Sequence, residues 1–225
     1  EAESSWAFNG GIKWTPDPRV SIHLNAYRNR IENLIETAPV ARLVTGQNAF
    51  SYFNINSVVT QGIELDLGYT FRENLRFSLG YAFLDTRDLD VLDQIDAGEL
   101  FKRDENNITT LVTRSDYGGL FNRSRHSGNF KVNYKERATG INLALRGIYR
   151  GKFGFADLNG NLILDDPSEF AEGWLSLNLT ASKSFSDRIN LEIGGTNLLN
   201  TQTPNQPNNP GRIVFAGINI SIFEN

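Results

Sequence analysis

The chain has no cysteine and no methionine among its 225 residues. Without cysteine there is no disulfide, no thiolate nucleophile and no Cys-type zinc site. Without methionine there is no thioether ligand for a soft metal. With no initiator methionine, and a polar start at Glu1 that shows no signal sequence, the chain is expected to be a mature or cleaved piece of a longer polypeptide. It lacks any run of about 18 apolar residues, so no helix is expected to cross a bilayer. Basic blocks are missing too. The formal charge is -4 and the pI about 5.3, which argues against nucleic acid as a partner. Ser, His and Asp all occur, but no nucleophile elbow or other local catalytic signature accompanies them, so no enzyme is expected. The mean hydropathy of -0.35 is too polar for a helical membrane protein. It does not exclude a barrel, because half of each barrel strand and all of its loops are polar.

What is present is alternation. Ile63, Leu65, Leu67, Tyr69 and Phe71 are separated by Glu64, Asp66, Gly68 and Thr70. Leu175, Leu177, Leu179 and Ala181 are separated by Ser176, Asn178 and Thr180. Side chains of a strand point to opposite faces, so each such segment has one apolar and one polar face. In a soluble sandwich the apolar face is core. In a membrane barrel it meets lipid, and the polar face lines a lumen.

The pattern predicts about nine strands. Many run to ~9–12 residues, against a usual ~5–6 and a bilayer requirement of ~9–11. The first carries Trp6, Phe8, Gly10, Ile12 and Trp14 on one face and ends in a turn at Pro16–Arg19. The second starts at Val20 and leads through Asn33 and Leu34 to a loop near Pro39–Gln47. The third enters near Tyr52 and turns at Arg72–Asn74. The fourth carries Leu75 to Phe83. A weakly periodic segment, Asp85 to about Arg125, follows. Four more strands lie around Phe130, Ile141, Leu175 and Ile189, with turns at Glu136–Gly140 and Ser186–Arg188. A Pro/Asn loop from Asn200 to Gly211 precedes a last strand ending near Phe223. Short turns follow the first, third, fifth and seventh strands, and longer loops follow the even ones. Such one-sided elaboration is a feature of outer-membrane barrels. Trp6, Trp14, Tyr69, Phe71, Tyr134 and Phe185 sit near strand ends, where aromatic girdles form at lipid–water boundaries.

Three stretches carry a family resemblance. Gly194-Gly195-Thr196-Asn197-Leu198-Leu199-Asn200, followed by the Pro/Asn loop, Pro210-Gly211-Arg212 and the final strand, resembles the C-terminal end of TonB-dependent outer-membrane transporters. Gln61-Gly62-Ile63-Glu64-Leu65-Asp66 resembles a strand of the same family. Tyr27 with Arg30-Ile31-Glu32-Asn33-Leu34-Ile35 is similar to a strand leading into one of its outer loops. The resemblance implies an all-β fold: residues 1–225 as the C-terminal nine or so antiparallel strands of a 22-stranded transmembrane β-barrel. Another polypeptide or the missing N-terminal part would complete that barrel. It also implies a plug domain absent from this chain, TonB of the inner-membrane energising complex as a partner through that missing part, and the lipid and lipopolysaccharide outer membrane of a Gram-negative cell as surroundings. A surface lipoprotein is a further candidate partner. The implied activity is nutrient import, with a ferric siderophore, haem, cobalamin or similar compact solute as cargo. His23 and His126 are the two histidines, which weakens a haem reading without excluding it, since ligands can come from outside the chain.

Two clusters are candidate sites. Arg114, Arg123, Arg125 and His126, interleaved with Tyr117 and Phe121, combine cations and rings suited to an anionic solute held by outer loops. Asp157, Asn159, Asn161 and Asp165, with Gly160 for a turn, resemble a calcium loop, so a structural calcium is the candidate cofactor. The glycine comes early, and Ser168 stands where an EF-hand has its glutamate, with Glu169 one residue on. An Asx-turn in an outer loop is the competing interpretation. Lys13, His23, Glu64, Asp66, Arg76, Lys131, Lys135, Arg146, Arg150 and Glu192 fall on polar faces, as lumen residues would. The alternatives to an importer are a passive porin or adhesin barrel and a soluble calcium-binding β-sandwich.

Overall fold

The computed structural model describes residues 1–42, 48–103, 108–161, 163–186, 188–202 and 210–221, the side chains of 37–42 and 48–50 excepted. The turn residue Asp187, most of the expected 39–47 and 200–211 loops, and the strand end at Phe223 therefore lie wholly or partly outside the described residues. The sheet is built by β1 (Ser4–Asp17), β2 (Val20–Arg42), β3 (Asn48–Arg72) and β4 (Leu75–Asp88). The chain then forms helix α1 (Leu89–Ala97) and a small hairpin, β5 (Phe101–Arg103) with β6 (Thr109–Leu111). It returns to the sheet as β7 (His126–Glu136) and β8 (Ile141–Arg150). A second small pair, β9 (Phe153–Gly154) and β10 (Phe170–Ala171), precedes β11 (Trp174–Ser184), β12 (Ile189–Thr196) and β13 (Ile213–Ile220).

Nine strands form one antiparallel meander in the order β1-β2-β3-β4-β7-β8-β11-β12-β13. The sheet does not close on itself, so β1 and β13 are edges. Register fixes what each face presents. The row Ile22–Leu67–Leu79–Phe130 is apolar throughout, and the adjacent row His23–Asp66–Gly80–Asn129 is polar. Slipping any pair by one residue would exchange the two faces. Trp6, Phe8, Ile12 and Trp14 are 58–73% exposed, and Ile63, Leu79 and Tyr81 of the same face on other strands are 40–47% exposed. No second sheet covers that face among the described residues. Water would not tolerate so much exposed apolar area, and hydrocarbon does.

The expected parity holds. Tight connections at Pro18–Arg19, Glu73–Asn74 and 137–140 close one end, while the connections after β2, β4, β8 and β12 gather at the other. Three expectations need correction. The first turn is confined to Pro18 and Arg19, because β1 continues through Pro16 on an irregular register between Trp14 and Asp17. The irregular register there leaves no ladder bond that needs the missing proline N–H. Strand β2 continues through Pro39 to Arg42, paired with β3, so these strands of 23 and 25 residues extend far past any bilayer. The weakly periodic 85–125 segment contains a true helix. Asp88 caps α1 by accepting the N–H groups of Asp90 (3.0 Å) and Val91 (3.4 Å). Gly98, at φ 71°, ends it in the left-handed conformation.

Candidate functional site

The long-loop end carries a small core of its own. Ile95 of α1, Val112, Tyr117 and Ile163 pack together and are buried. Leu164, Phe153 and Ala171 are buried too. Backbone bonds tie the two longest loops to each other, from Gly118 N to the Leu164 carbonyl (2.6 Å) and from Asn122 N to the Gly154 carbonyl (2.8 Å). The result is an ordered cap over one mouth of the sheet.

Glu169 organises one half of this cap. It is fully buried and accepts the N–H groups of Leu158, Asn159, Asp165 and Asp166 at 2.9–3.4 Å. Around it the candidate calcium ligands bond to one another. The side-chain amides of Asn159 and Asn161 donate to Asp165 Oδ1 at 2.9 and 3.0 Å. Their oxygens accept the N–H groups of Asn161 and Ile163, and Asp157 Oδ1 accepts that of Gly160. The amides thus turn nitrogen, not oxygen, toward Asp165. Among the described residues no group of three or more His, Cys, Asp or Glu is placed to hold a metal ion.

The six candidate solute residues are not gathered into one site. Arg114 pairs through both nitrogen positions with Asp96, which holds that carboxyl below its usual pKa. Tyr117 is a core residue: its hydroxyl accepts Asp88 N at 3.2 Å and its carbonyl accepts Arg87 Nη1 at 2.7 Å. Burial is the main cause that pushes the phenol up to about 12. Phe121 is exposed. Arg123 pairs with Glu36 at 3.0 Å and Arg125 with Asp85 at 3.6 Å. His126 stands on the apolar face, beside Phe83, with its Nδ1 2.8 Å from the Tyr81 hydroxyl.

A tighter cation–aromatic cluster lies at residues the sequence placed only on a polar face or did not single out. The Arg150 guanidinium lies 3.8 Å over the Phe153 ring. Its Nε donates to Ser124 Oγ and its Nη2 to the Asn122 carbonyl, both at 3.0 Å. Neither partner is charged. Lys152 Nζ is 4.8 Å over the Phe170 ring. The signal was the run Tyr149-Arg150-Gly151-Lys152-Phe153, in which two cations lie between two rings at a strand end. Below the mouth the polar face presents Glu64 and Asp66: His23 Nδ1 is 3.8 Å from Asp66 Oδ2, and the Asn25 amide donates to Glu64. Grooves of about 420 Å³ run along this face, one past Lys13 and Lys131 and another past Arg146.

The Gly194–Asn200 stretch has a mechanical role. Asn197 is buried at positive φ, donates to the carbonyls of Thr201 and Pro210, and accepts Thr201 N. Asn200 Oδ1 accepts Arg212 N at 2.9 Å. Two asparagines thus pin both ends of the last outer loop.

An open sheet that is apolar on one face, hydrated on the other and capped at one mouth is the wall of a transmembrane β-barrel. A family model described as TonB dependent receptor-like, beta-barrel, matches residues 1–198. The chain belongs to this family, whose barrels are outer-membrane receptors. No curated protein matches it. Among solved structures it is similar to a single-residue variant of the ferric enterobactin receptor PfeA from Pseudomonas aeruginosa in complex with enterobactin. The TM-score is 0.65 and the identity 15%, over 97% of this chain and 31% of that one. It is also similar to the ferric-catecholate import receptor Fiu from Escherichia coli K12, with TM-score 0.62, 14% identity, and 97% and 27% coverage. The copper transporter OprC gives TM-score 0.63, 14% identity, and 97% and 31% coverage. At these identities the likeness shows the fold. The chain spans about three-tenths of the length of these proteins.

Proposed function

We propose that this chain forms wall and outer cap of an energy-coupled outer-membrane importer, and that the solute it helps capture is an anionic iron chelate. The observation that carries this reading is the mouth cluster. Arg150 is fixed over Phe153 with only neutral hydrogen-bond partners, and Lys152 lies over Phe170. A compact anionic chelate meets both charge-assisted donors and ring faces there. Haem, cobalamin and a copper complex remain further cargo candidates, in keeping with the copper transporter among the similar structures.

The edges β1 and β13 expose unpaired backbone groups that lipid cannot satisfy, so further strands close the barrel. In this reading residues 1–225 are the C-terminal portion of that barrel, a plug fills its lumen against Glu64 and Asp66, and TonB acts on the plug. The chain binds and orients solute and carries no covalent step. The location is the outer membrane of a Gram-negative cell.

Uptake of a labelled ferric chelate by cells that lack their own receptor tests this. The full-length protein restores uptake, and deletion of TonB abolishes it. Uptake that persists without TonB would identify a passive barrel and overturn the reading.

A further inference from the structure

Arg150 stands at the end of β8, opposite Ser127 and Trp174 on the polar face. An arginine offers two pairs of donors. The side fork is Nε–H with one Nη2–H, and the end fork is Nη1–H with the other Nη2–H. Here the side fork is filled, because Nε donates to Ser124 Oγ and Nη2 to the Asn122 carbonyl, both at 3.0 Å. The guanidinium lies 3.8 Å over the Phe153 ring. Among the described residues nothing accepts from Nη1, and no carboxylate pairs with this cation.

The serine is itself fixed. Its hydroxyl lies 2.9 Å from the Gly151 carbonyl as well. A carbonyl can only accept and Nε–H can only donate, so the hydroxyl proton goes to Gly151 and a lone pair faces Arg150. Its backbone is held too. Ser124 stands opposite Phe153, on the register that pairs Ser127 with Arg150. To either side, Gly151 N donates to the His126 carbonyl at 2.7 Å and Asn122 N to the Gly154 carbonyl at 2.8 Å. The flanking Arg123 and Arg125 pair elsewhere, with Glu36 and Asp85.

We propose that Ser124 is a positioning residue of the solute site. By taking Nε it holds Arg150 over Phe153 and leaves the end fork, Nη1 with the remaining Nη2–H, for the solute. Two parallel N–H bonds then grip paired oxygens of one anionic group, where a lysine would offer a point of charge. This role rests on the reading that the mouth captures an anionic chelate, and it adds how the cation there is aimed.

Equilibrium binding of ferric citrate and ferric enterobactin to the full-length protein in mild detergent tests it. The first offers carboxylate oxygens and the second catecholate oxygens, and the variants are measured with the chelate that the parent holds more tightly. Ser124→Ala is expected to weaken binding about three- to tenfold. Ser124→Thr keeps the oxygen and should stay within about twofold of the parent. Ser124 also ties Gly151, so a merely structural role would weaken binding equally whatever stands at position 150. In an Arg150→Lys background, which has no side fork to hold, Ser124→Ala should cost nothing further. Equal losses in the two backgrounds, no loss in the parent, or a loss with threonine as large as with alanine overturns the proposal. An Arg150→Met variant that binds as tightly as the parent, or a parent that binds neither chelate, would instead defeat the reading of the mouth itself, so the two failures are distinguishable.

Discussion

Arg150 lies 3.8 Å over the ring of Phe153, and its hydrogen bonds go to Ser124 and to the Asn122 carbonyl. The strand end of β8, the following loop and the far end of the 89–125 segment therefore meet at one cation. Replacing it by methionine keeps much of the contact with the ring and removes the charge. The expected outcome is about ten- to a hundredfold weaker binding of an anionic ferric chelate, with the folded barrel retained. Arg150→Lys should recover part of the affinity, because it restores charge without the planar donor pair. Titration of the purified full-length variants checks both.

Glu169 is the other fixed point of the cap. Glu169→Gln leaves one oxygen where two carboxylate oxygens now serve four N–H groups, and turns an NH₂ toward donors. A cost of ~2–5 kcal/mol is expected, borne by the 153–171 loop and not by the sheet. Hydrogen exchange should show this loop opening while β7, β8 and β11 remain protected.

The β5–β6 hairpin of the 89–125 segment is expected to be acid-sensitive. Burial raises the Asp116 carboxyl, but Lys102 Nζ at 2.6 Å, the Thr113 hydroxyl and the Thr113 N–H outweigh it and hold its pKa at about 2. A carboxyl depressed on folding contributes stability above its unfolded pKa, near 3.8, and loses it as pH falls through the folded value. Protection of 101–116 should therefore be constant above pH ~4.5 and decline between about pH 4 and 2. Asp116→Asn should remove that decline and lower the plateau.

Much of the fold was legible because period-two alternation is enforced wherever lipid and water occupy opposite faces. Ile63–Phe71 and Leu175–Ala181 could be read as strands for that reason, and the parity of turns followed from their spacing. Legibility faded above the belt. Beyond Ala26 on β2, Arg28, Arg30 and Glu32 follow on the outward face and the alternating contrast weakens, so the strand was read only through Leu34 to a loop near Pro39, although pairing continues to Arg42. Helix α1 buries only Ile95 fully, with Val91 and Leu92 partly, inside an aspartate-rich run, which leaves too short a helical stripe to recognise. The cationic residues of 114–126 were visible as a cluster in sequence. Their partners were not: Asp96, Glu36 and Asp85 come from distant segments. The spacing of Asp157 to Asp165 left two interpretations open, because the same Asx-turn chemistry builds loops with and without an ion.

The central claim is that the Ile63, Leu65, Leu67 face meets hydrocarbon and the Glu64, Asp66 face meets water. This stretch contains no cysteine. Single cysteines can be placed at each position from 63 to 67 of the full-length protein, spin-labelled in bilayers and read against oxygen and a water-soluble relaxant. Strict alternation is predicted, with 63, 65 and 67 relaxed by oxygen and 64 and 66 by the water-soluble agent. Equal accessibility of both sets to the aqueous agent, or protection of the odd set from both agents, would contradict the account.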